Sequence, residues 1–422
     1  MSQQNKTFLE IADRIGCRLC RDAVWDANRC SWLGWSMEPV NNQWTTVYRS
    51  FAADLYGGTS GIALFLAELY QFTADPQQRK TLEGAINQSL SALANLQGTA
   101  RIGFFSGVSG IGYALVRIGK ILKHEGLIAR GLAELSSLSE FDPDPRLLDV
   151  IGGSAGAIPA LLAVGQEFRR DALTKIAMKH GDHLLSMASR GDNGWSWDTM
   201  HVPNQQHLTG HSHGVAGIVT ALLELYRSTG ENHYREGAEE GLRYERGLFS
   251  AEHSNWPDLR IMNPNTPQTD TAYNMAWCHG APGVGLSRLR CYDLLNGDSI
   301  ILGEIEAALK TTAGVLSTPW QPGWGNYSLC HGASGNAELL LLAGRQLGRA
   351  DLTQIAEKVG WEGYQHYYLT DSPWPCGIVG AGETPNLLLG IAGIGHFYLR
   401  LYDSATVPSI LIIMPDAKNE IR

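Results

Sequence analysis

A short glycine pattern recurs seven times along this chain of 422 residues. Each copy has a glycine, two small or apolar residues, a second glycine and an apolar run, and the second glycines are 46 to 66 residues apart. A single GxxG indicates no more than a turn or a helix contact, but near-regular copies are typical of folds built from one repeated unit. The copies begin at Gly58, Gly107, Gly153, Gly214, Gly280, Gly332 and Gly390.

The segments that follow the glycines are apolar on nearly every side, as in Ile62–Leu69 and Ile218–Leu225. A helix has this pattern where neighbouring elements cover all of its faces. Between these segments lie amphipathic stretches, among them 78–96, 171–188 and 352–368, whose single polar face suits an outer layer. We therefore predict an all-α fold, an α/α toroid. It would be a double-layered barrel of seven helical hairpins, in which closure of the ring removes the open ends of a solenoid.

The repeats also set the expected domain boundaries. Residues 51–403 should form the toroid, residues 1–50 an N-terminal extension packed on the barrel, and residues 404–422 a C-terminal tail. The tail contains the apolar segment Ile410–Met414, which we expect to fold onto the body of the domain. Glycines at the start of each inner helix permit tight turns and close approach of backbones, so the helix N-termini should gather at one mouth of the barrel.

Composition narrows the classes of function. The net charge is −9 and no basic stripe is present, so we expect no nucleic-acid partner. The first residues are polar and unlike a signal peptide, and no apolar run approaches the roughly 18–20 residues of a membrane span. We therefore expect a cytoplasmic protein without a membrane span. Seven cysteines, an odd number, favour free thiols or metal ligands over a disulfide framework.

Four of the repeats carry polar side chains just ahead of their first glycine. In the fifth and sixth copies a Cys-His pair directly precedes that glycine. If the repeats superpose around a barrel, side chains at these equivalent positions gather at one mouth. They are Asp149, His213, Cys278, His279, Cys330 and His331.

Three of these side chains have the chemistry of a metal site. Two thiolates and an imidazole are good ligands for Zn²⁺, and Cys278, Cys330 and His331 would leave one coordination position open. An open position is typical of catalytic zinc, because structural zinc is usually enclosed by four protein ligands. The alternative for a single Cys-His pair is a buried small residue beside an ordinary histidine, which the presence of two equivalent pairs disfavours.

Several stretches of the sequence resemble one known family. From Leu55 to Leu401 the chain is similar to the lanthionine synthetase C-like cyclases, and closest to the cyclase domain of the class II lanthipeptide synthetases. The matching stretches read LYGGTSGIALFLAEL, DVIGGSAG, GHSHGVAGI, WCHGAPGVG, SLCHGASGNAELLL and LLLGIAGIG. The resemblance implies an α/α toroid that binds zinc through Cys278, Cys330 and His331.

The resemblance also implies a reaction. In that family the thiol of a substrate cysteine, activated at zinc, adds to dehydroalanine or dehydrobutyrine in a ribosomal precursor peptide and forms a (methyl)lanthionine ring. The α-carbon then needs a proton, which a histidine can supply near neutral pH. We predict that His213 supplies it and that Asp149 holds its imidazole or binds the substrate backbone. His279 would assist proton transfer or stabilise the enolate.

Two departures from the family pattern affect the expected function. Stand-alone bacterial members have an arginine four residues before the first zinc cysteine, whereas this chain has Asn274, which can donate a hydrogen bond but carries no charge. Only about 50 residues precede the first repeat, so we expect dehydration to come from a separate dehydratase or from a removed dehydratase half. The expected partners are thus a dehydrated precursor peptide and that dehydratase.

Three alternatives stay open beside the cyclase. The same site could add a small thiol such as glutathione to dehydrated residues. The chain could instead be a non-catalytic, zinc-stabilised scaffold that binds peptides, although such a role needs neither His213 nor Asp149. Another α/α-toroid enzyme, such as a glycosidase or a prenyltransferase, is the third. Glycosidases use paired carboxylates, and the repeat starts offer Asp149 alone.

Overall fold

The computed structural model describes residues 3–40, 43–203, 205–261, 271–323 and 325–415, and within these ranges it contains fourteen α-helices. In chain order they are α1 (Gln3–Asp22), α2 (Thr59–Thr73), α3 (Pro76–Ala92), α4 (Val108–Ile121), α5 (Glu125–Ser137), α6 (Ser154–Glu167), α7 (Asp171–Ser186), α8 (Val215–Thr229), α9 (Asn232–Leu248), α10 (Ala281–Leu294), α11 (Ser299–Ser317), α12 (Ala333–Gln346), α13 (Ala350–Gly363) and α14 (Ile391–Asp403).

Among the described residues, short strands form three antiparallel hairpins. The longest hairpin pairs Trp35 with Tyr48 in its register. The strands are β1 (Val24–Asp26), β2 (Arg29–Ser31), β3 (Leu33–Val40), β4 (Gln43–Ser50), β5 (Ser189–Gly191) and β6 (Gly194–Ser196).

The even-numbered helices form a closed inner ring. Each contacts the next even-numbered helix, and α14 contacts α2. The helices α3, α5, α7, α9, α11 and α13 each pack on the inner helix that precedes them in the chain. The seventh outer helix is α1, which packs on α14, so the two ends of the chain complete one hairpin. The predicted α/α toroid is confirmed, whereas the division of the chain near residues 50 and 403 stays a prediction.

The second glycine of each repeat is required by a close approach of two backbones. A Cβ atom on Gly110 would lie 1.7 Å from the carbonyl oxygen of Phe104, and one on Gly335 would lie 1.8 Å from that of Leu329. Real Cβ atoms do not reach such distances, so any side chain would push the helix away from the loop that leads into it. The repeat therefore fixes the loop against the first turn of its own helix.

Backbone hydrogen bonds join the seven loops into a ring at the mouth of the barrel. In most loops the donor and the acceptor lie two residues before the first glycine, at equivalent positions of neighbouring repeats. In each of the following pairs the backbone N–H of the first residue donates to the carbonyl oxygen of the second, over 2.9 to 3.3 Å: Tyr56 to Phe105, Phe105 to Ile151, Val150 to Ser212, Ser212 to Cys278, Cys278 to Cys330, Cys330 to Leu388 and Leu388 to Tyr56. Because such bonds fix the spacing of the loops, they also fix the spacing of the side chains there.

The inner helices are less uniformly apolar than their sequences indicated. Three arginine–glutamate pairs, all nearly inaccessible to solvent, link neighbouring inner helices. Such pairs offset the cost of burying charge only when both partners are present. They are Arg117–Glu68 at 2.7 Å, Arg290–Glu224 at 2.6 Å and Arg400–Glu338 at 2.5 Å.

The C-terminal tail lies in the centre of the ring. Residues 404–415 border cavities together with α4, α6, α8, α12 and α14, and Ile410–Ile413 are buried. The indole Nε1 of Trp277 donates a hydrogen bond of 3.0 Å to the carbonyl oxygen of Leu411. The expected contact with the body is therefore made inside the barrel, where an apolar segment loses most water contact. Residues 416–422 lie outside the described residues.

In the described parts of the chain, no helix combines the length and the apolar character that crossing a membrane requires. The cytoplasmic location stays a prediction.

Candidate metal centre and active site

Three potential metal ligands meet at the mouth of the barrel. The sulfur atoms of Cys278 and Cys330 and a ring nitrogen of His331 all lie within 4.8 Å of one another. The N–H of Cys278 donates to the carbonyl of Cys330, so the two cysteines belong to adjacent loops of the backbone ring. Equivalent positions in neighbouring repeats thus bring together residues that are far apart in the sequence.

One ring nitrogen of His331 is hydrogen-bonded to the protein backbone. Its Nε2 lies 2.7 Å from the carbonyl oxygen of Gly377, which can only accept a hydrogen bond. The tautomer assigned from this contact has its proton on Nε2 and leaves Nδ1 with a free lone pair. A backbone carbonyl on the second nitrogen is the arrangement usual for metal-bound histidine.

The two thiols influence each other strongly. A hydrogen bond with Cys330 and, secondly, burial raise the pKa of Cys278 well above the usual thiol value. Two thiolates this close repel each other in a buried site, and a bound cation removes that repulsion. The pair therefore fits a metal centre better than it fits two free cysteines.

His213 and Asp149 form a second pair at the same mouth. Nδ1 of His213 lies 2.6 Å from Oδ2 of Asp149, and Oδ1 of Asp149 accepts a hydrogen bond of 2.8 Å from the N–H of Gly152. Asp54 makes the same turn in the first repeat, with a 2.7 Å bond from Gly57. One carboxylate oxygen of Asp149 thus accepts a hydrogen bond within the turn, and the other oxygen is bonded to His213.

The environment of His213 favours its protonated form. Burial lowers the pKa of His213, but the hydrogen bond and the negative charge of Asp149 outweigh burial and raise it above the usual value. The side chain is 30% exposed at the mouth. Because Nδ1 is bound to Asp149, Nε2 is the nitrogen that can face a substrate.

His279 lies behind His213 and is 1% exposed. The two rings stack with centroids 5.9 Å apart. Burial and then the nearby charge of Arg260 lower the pKa of His279 to about 3, so the imidazole is neutral at physiological pH. A neutral imidazole is suited to donating a hydrogen bond rather than a full proton. The role of His279 stays a prediction.

Asn274 is part of a polar network beside His279. Its Nδ2 donates a hydrogen bond of 2.6 Å to Oδ2 of Asp258, and Asp258 also forms an ion pair with Arg260. Oδ1 of Asp258 lies 3.8 Å from Nδ1 of His279. Sequence reasoning missed Asp258 and Arg260, because they lie 22 and 20 residues before the first glycine of their repeat, away from the positions that the repeats share.

Tyr56 was also missed, although the repeats contain a signal for it. It lies two residues before the first glycine of its repeat, the position that Cys278 and Cys330 occupy in theirs. Burial, followed by the charge and a hydrogen bond of Cys330, raises the pKa of Tyr56 well above the usual value. An alignment of the seven loops would have included this hydroxyl group in the site.

Comparison with known proteins identifies the family of this chain. A model of the family described as lanthionine synthetase C-like protein matches residues 50–412. The chain belongs to this family. The resemblance of the sequence motifs is therefore confirmed over most of the chain.

Three similar proteins illustrate the family. The lacticin 481/lactococcin biosynthesis protein LcnDR2 of Lactococcus lactis subsp. lactis is 24% identical over 87% of this chain. The glutathione S-transferase LANCL1 of Danio rerio is 24% identical over 67% of this chain and 67% of its own length. A solved structure of nisin cyclase superposes with a TM-score of 0.60 and 20% identity, covering 83% of this chain and 89% of that chain.

These comparisons support the fold and the prediction of a cyclase enzyme in this family. At 20% identity the likeness to nisin cyclase is evidence for the fold. The match to LcnDR2 spans 38% of that protein's length, so this chain corresponds to less than half of it.

Proposed function

We propose that the chain is a zinc-dependent lanthionine cyclase that adds cysteine thiols to dehydroalanine or dehydrobutyrine in a ribosomal precursor peptide. The observation that carries the proposal is that a three-residue cluster of potential metal ligands and a histidine–aspartate pair lie at the same mouth of the barrel. Cys278, Cys330 and His331 converge within 4.8 Å, and His213 hydrogen-bonds to Asp149 in the neighbouring loop. A metal site beside a proton donor is what thiol addition followed by protonation requires.

The donor set fits zinc. Two sulfur ligands and one imidazole are typical of Zn²⁺ sites, and three protein ligands leave a position for substrate. The fixed Nε2–H of His331 leaves Nδ1 available as the third ligand atom. When bound, zinc would lower the pKa of a coordinated cysteine thiol of the substrate and keep it as the nucleophilic thiolate.

The chain's own residues would complete the reaction. The substrate sulfur forms a bond to the β-carbon, and the π electrons of the dehydro residue move onto the α-carbon and its carbonyl oxygen. His213, held by Asp149 and favoured in its protonated form, then delivers a proton from Nε2 to the α-carbon. Asp149 orients the ring and stabilises its charge before transfer.

Zinc content per chain tests the metal centre. The wild-type protein should contain about one zinc and Cys330→Ala little, because a catalytic site with three ligands tolerates few losses. Cys291→Ala is the matched control, since Cys291 is buried within α10 and outside the three-residue cluster. A folded wild-type protein that binds no zinc would contradict the proposal.

Ring closure itself is tested with a synthetic peptide that contains one dehydroalanine and, a few residues later, one cysteine. Addition within the peptide leaves its mass unchanged but removes the free thiol, so maleimide labelling followed by mass spectrometry measures the product. Thiol loss that requires both enzyme and zinc supports the cyclase. Thiol loss at the uncatalysed rate excludes it for this substrate class.

A second candidate is the addition of a small thiol to dehydrated peptides. The similarity to the glutathione S-transferase LANCL1 of Danio rerio favours considering it. A dehydroalanine peptide without cysteine, incubated with glutathione, distinguishes the two. An enzyme-dependent glutathione adduct would support the second reaction, whereas a cyclase leaves that peptide unmodified.

A further inference from the structure

A permanently charged side chain lies beside the candidate site and has no role in the proposed function. Arg260 is 28% exposed, and its guanidinium is close enough for electrostatic interaction with Cys278 and Cys330. Its charge also acts on His213 and His279. The proposed reaction passes through an enolate anion. A positive charge beside the site stabilises such an anion.

The protein holds Arg260 in one orientation. Oδ1 of Asp258 accepts hydrogen bonds from the backbone N–H of Arg260 at 3.1 Å and from its Nε at 3.0 Å, and Oδ2 accepts one from Nη2 at 2.6 Å. Asn274 fixes Asp258 in turn through a bond of 2.6 Å. A two-pronged contact of this kind orders a guanidinium more strongly than a single bond does.

The surrounding backbone is anchored as well. The N–H of Asp258 donates to the carbonyl of Ala272 at 2.7 Å, and the N–H of Ile261 donates to Oε1 of Gln205 at 3.1 Å. Asp258 thus fixes the arginine on one side while its Oδ1 lies 3.8 Å from the ring of His279. Asp258 therefore lies between Arg260 and His279, and His279 stacks on the candidate proton donor His213.

One end of the guanidinium stays available. Within the described ranges, Nε and Nη2 of Arg260 bond to Asp258, whereas Nη1 has no hydrogen-bond partner. A pre-oriented donor with unused N–H groups is what stabilises an oxyanion that develops during a reaction. The Asp258 carboxylate offsets the cost of holding the cation in a partly buried place.

We propose that Arg260 is a catalytic residue that donates a hydrogen bond from Nη1 to the carbonyl oxygen of the dehydrated residue. This inference rests on the proposed cyclase function. As the carbon–sulfur bond forms at the β-carbon, the displaced π electrons place negative charge on that oxygen, and Arg260 stabilises it. His213 then protonates the α-carbon and the enolate returns to a neutral amide. Asp258 and Asn274 are positioning residues for Arg260.

The test compares Arg260→Gln with Arg146→Gln. Arg146 is a matched control because it makes the same backbone, Nε and Nη2 contacts to Asp144, two residues earlier, but is 75% exposed. With the dehydroalanine–cysteine peptide, we expect Arg260→Gln to lower kcat about 10²–10³-fold, as for other lost oxyanion donors. KM, zinc content and affinity for the ring-closed product should stay near wild-type values, and Arg146→Gln should behave as wild type.

Two further variants sharpen the test. Arg260→Lys keeps the charge but not the planar fork, so it should recover part of the lost kcat. Asn274→Ala removes one hydrogen bond that holds Asp258 in place. It should lower kcat by a smaller factor than Arg260→Gln. If Arg260→Gln does not fold, Arg260→Lys replaces it, with a wild-type kcat as the contradicting result.

The outcomes separate the two proposals. A kcat within about threefold of wild type in folded Arg260→Gln overturns the role of Arg260 and leaves the cyclase intact. Loss of zinc or of product affinity in that variant also overturns it, because Arg260 would then support the site rather than the transition state. A wild-type protein that closes no rings overturns the cyclase proposal itself, and the role of Arg260 with it.

Discussion

The mouth of the barrel and its interior are built from the same seven repeats, yet the side chains in the two regions make different kinds of contact. At the mouth, backbone bonds fix the loops while the side chains vary from repeat to repeat, from Tyr56 to Cys278 and Cys330. In the interior, buried ion pairs and the C-terminal tail join the helices to one another. We therefore expect substitutions at the mouth to change mainly the activity, and substitutions in the interior to change mainly the free energy of unfolding.

The largest effect on the mouth is expected from His213→Ala. Removing the proposed proton donor should slow ring closure by roughly 10²–10⁴-fold, while zinc content and melting temperature stay unchanged. Rates with the synthetic peptide and a thermal melt measure the two properties. His233→Ala, an exposed histidine on α9, serves as the control. Full activity of His213→Ala would remove His213 from the mechanism.

The largest effect on the interior is expected from Arg117→Met. It leaves the buried Glu68 without its cationic partner and also removes the 3.0 Å bond from Arg117 to the carbonyl of Thr406 in the tail. The free energy of unfolding should fall by about 3–5 kcal/mol. Denaturant titration measures it, and ring closure by the folded fraction should be unaffected.

The control for that variant breaks an exposed pair instead. Arg235 and Glu239 form an ion pair on the surface of α9, so Arg235→Met should cost less than about 1 kcal/mol. Equal losses for Arg117→Met and Arg235→Met would mean that the buried pairs do not stabilise the ring as we infer.

The tail offers a third comparison. Ile412 is 4% exposed in the centre of the ring, whereas Ile300 on α11 is 59% exposed. Truncation of the buried isoleucine, Ile412→Ala, should lower the free energy of unfolding by about 2–5 kcal/mol. Ile300→Ala should change it by no more than about 0.5 kcal/mol. A neutral Ile412→Ala would argue against the tail as part of the core.

The smallest effect is a shift in pH dependence. The bond and charge of Asp149 raise the pKa of His213 against the effect of burial, so His213 keeps its proton to higher pH than a free histidine. Asp149→Asn removes the charge and lowers that pKa. The alkaline limb of the kcat profile should therefore move to lower pH.

Asp54→Asn is the matched control for this shift, because Asp54 makes the same turn in the first repeat. Its kcat profile should keep the wild-type position. If the alkaline limb does not move in Asp149→Asn, a group other than His213 sets it.

The repeats make much of the site predictable from the sequence. Cys278 and Cys330 hold equivalent positions in neighbouring repeats, so superposing the repeats is enough to bring the two thiols together. His213 and Asp149 follow from the family resemblance, and the structure joins them by a hydrogen bond of 2.6 Å. Arg260 cannot be found in this way, since it lies 20 residues before the first glycine of its repeat, away from the positions that the repeats share. Its place depends on hydrogen bonds with Asp258, which Asn274 fixes in turn.

The sequence by itself determined the toroid, the seven inner helices and six of the candidate side chains at the mouth, because each repeat encodes its own turn, helix start and apolar face. Only the tertiary structure decided how the chain ends are used. It places α1 on α14 as the seventh outer helix and the tail inside the ring. Both contacts join segments from opposite ends of the chain or from unrelated repeats, and local periodicity carries no information about such pairings.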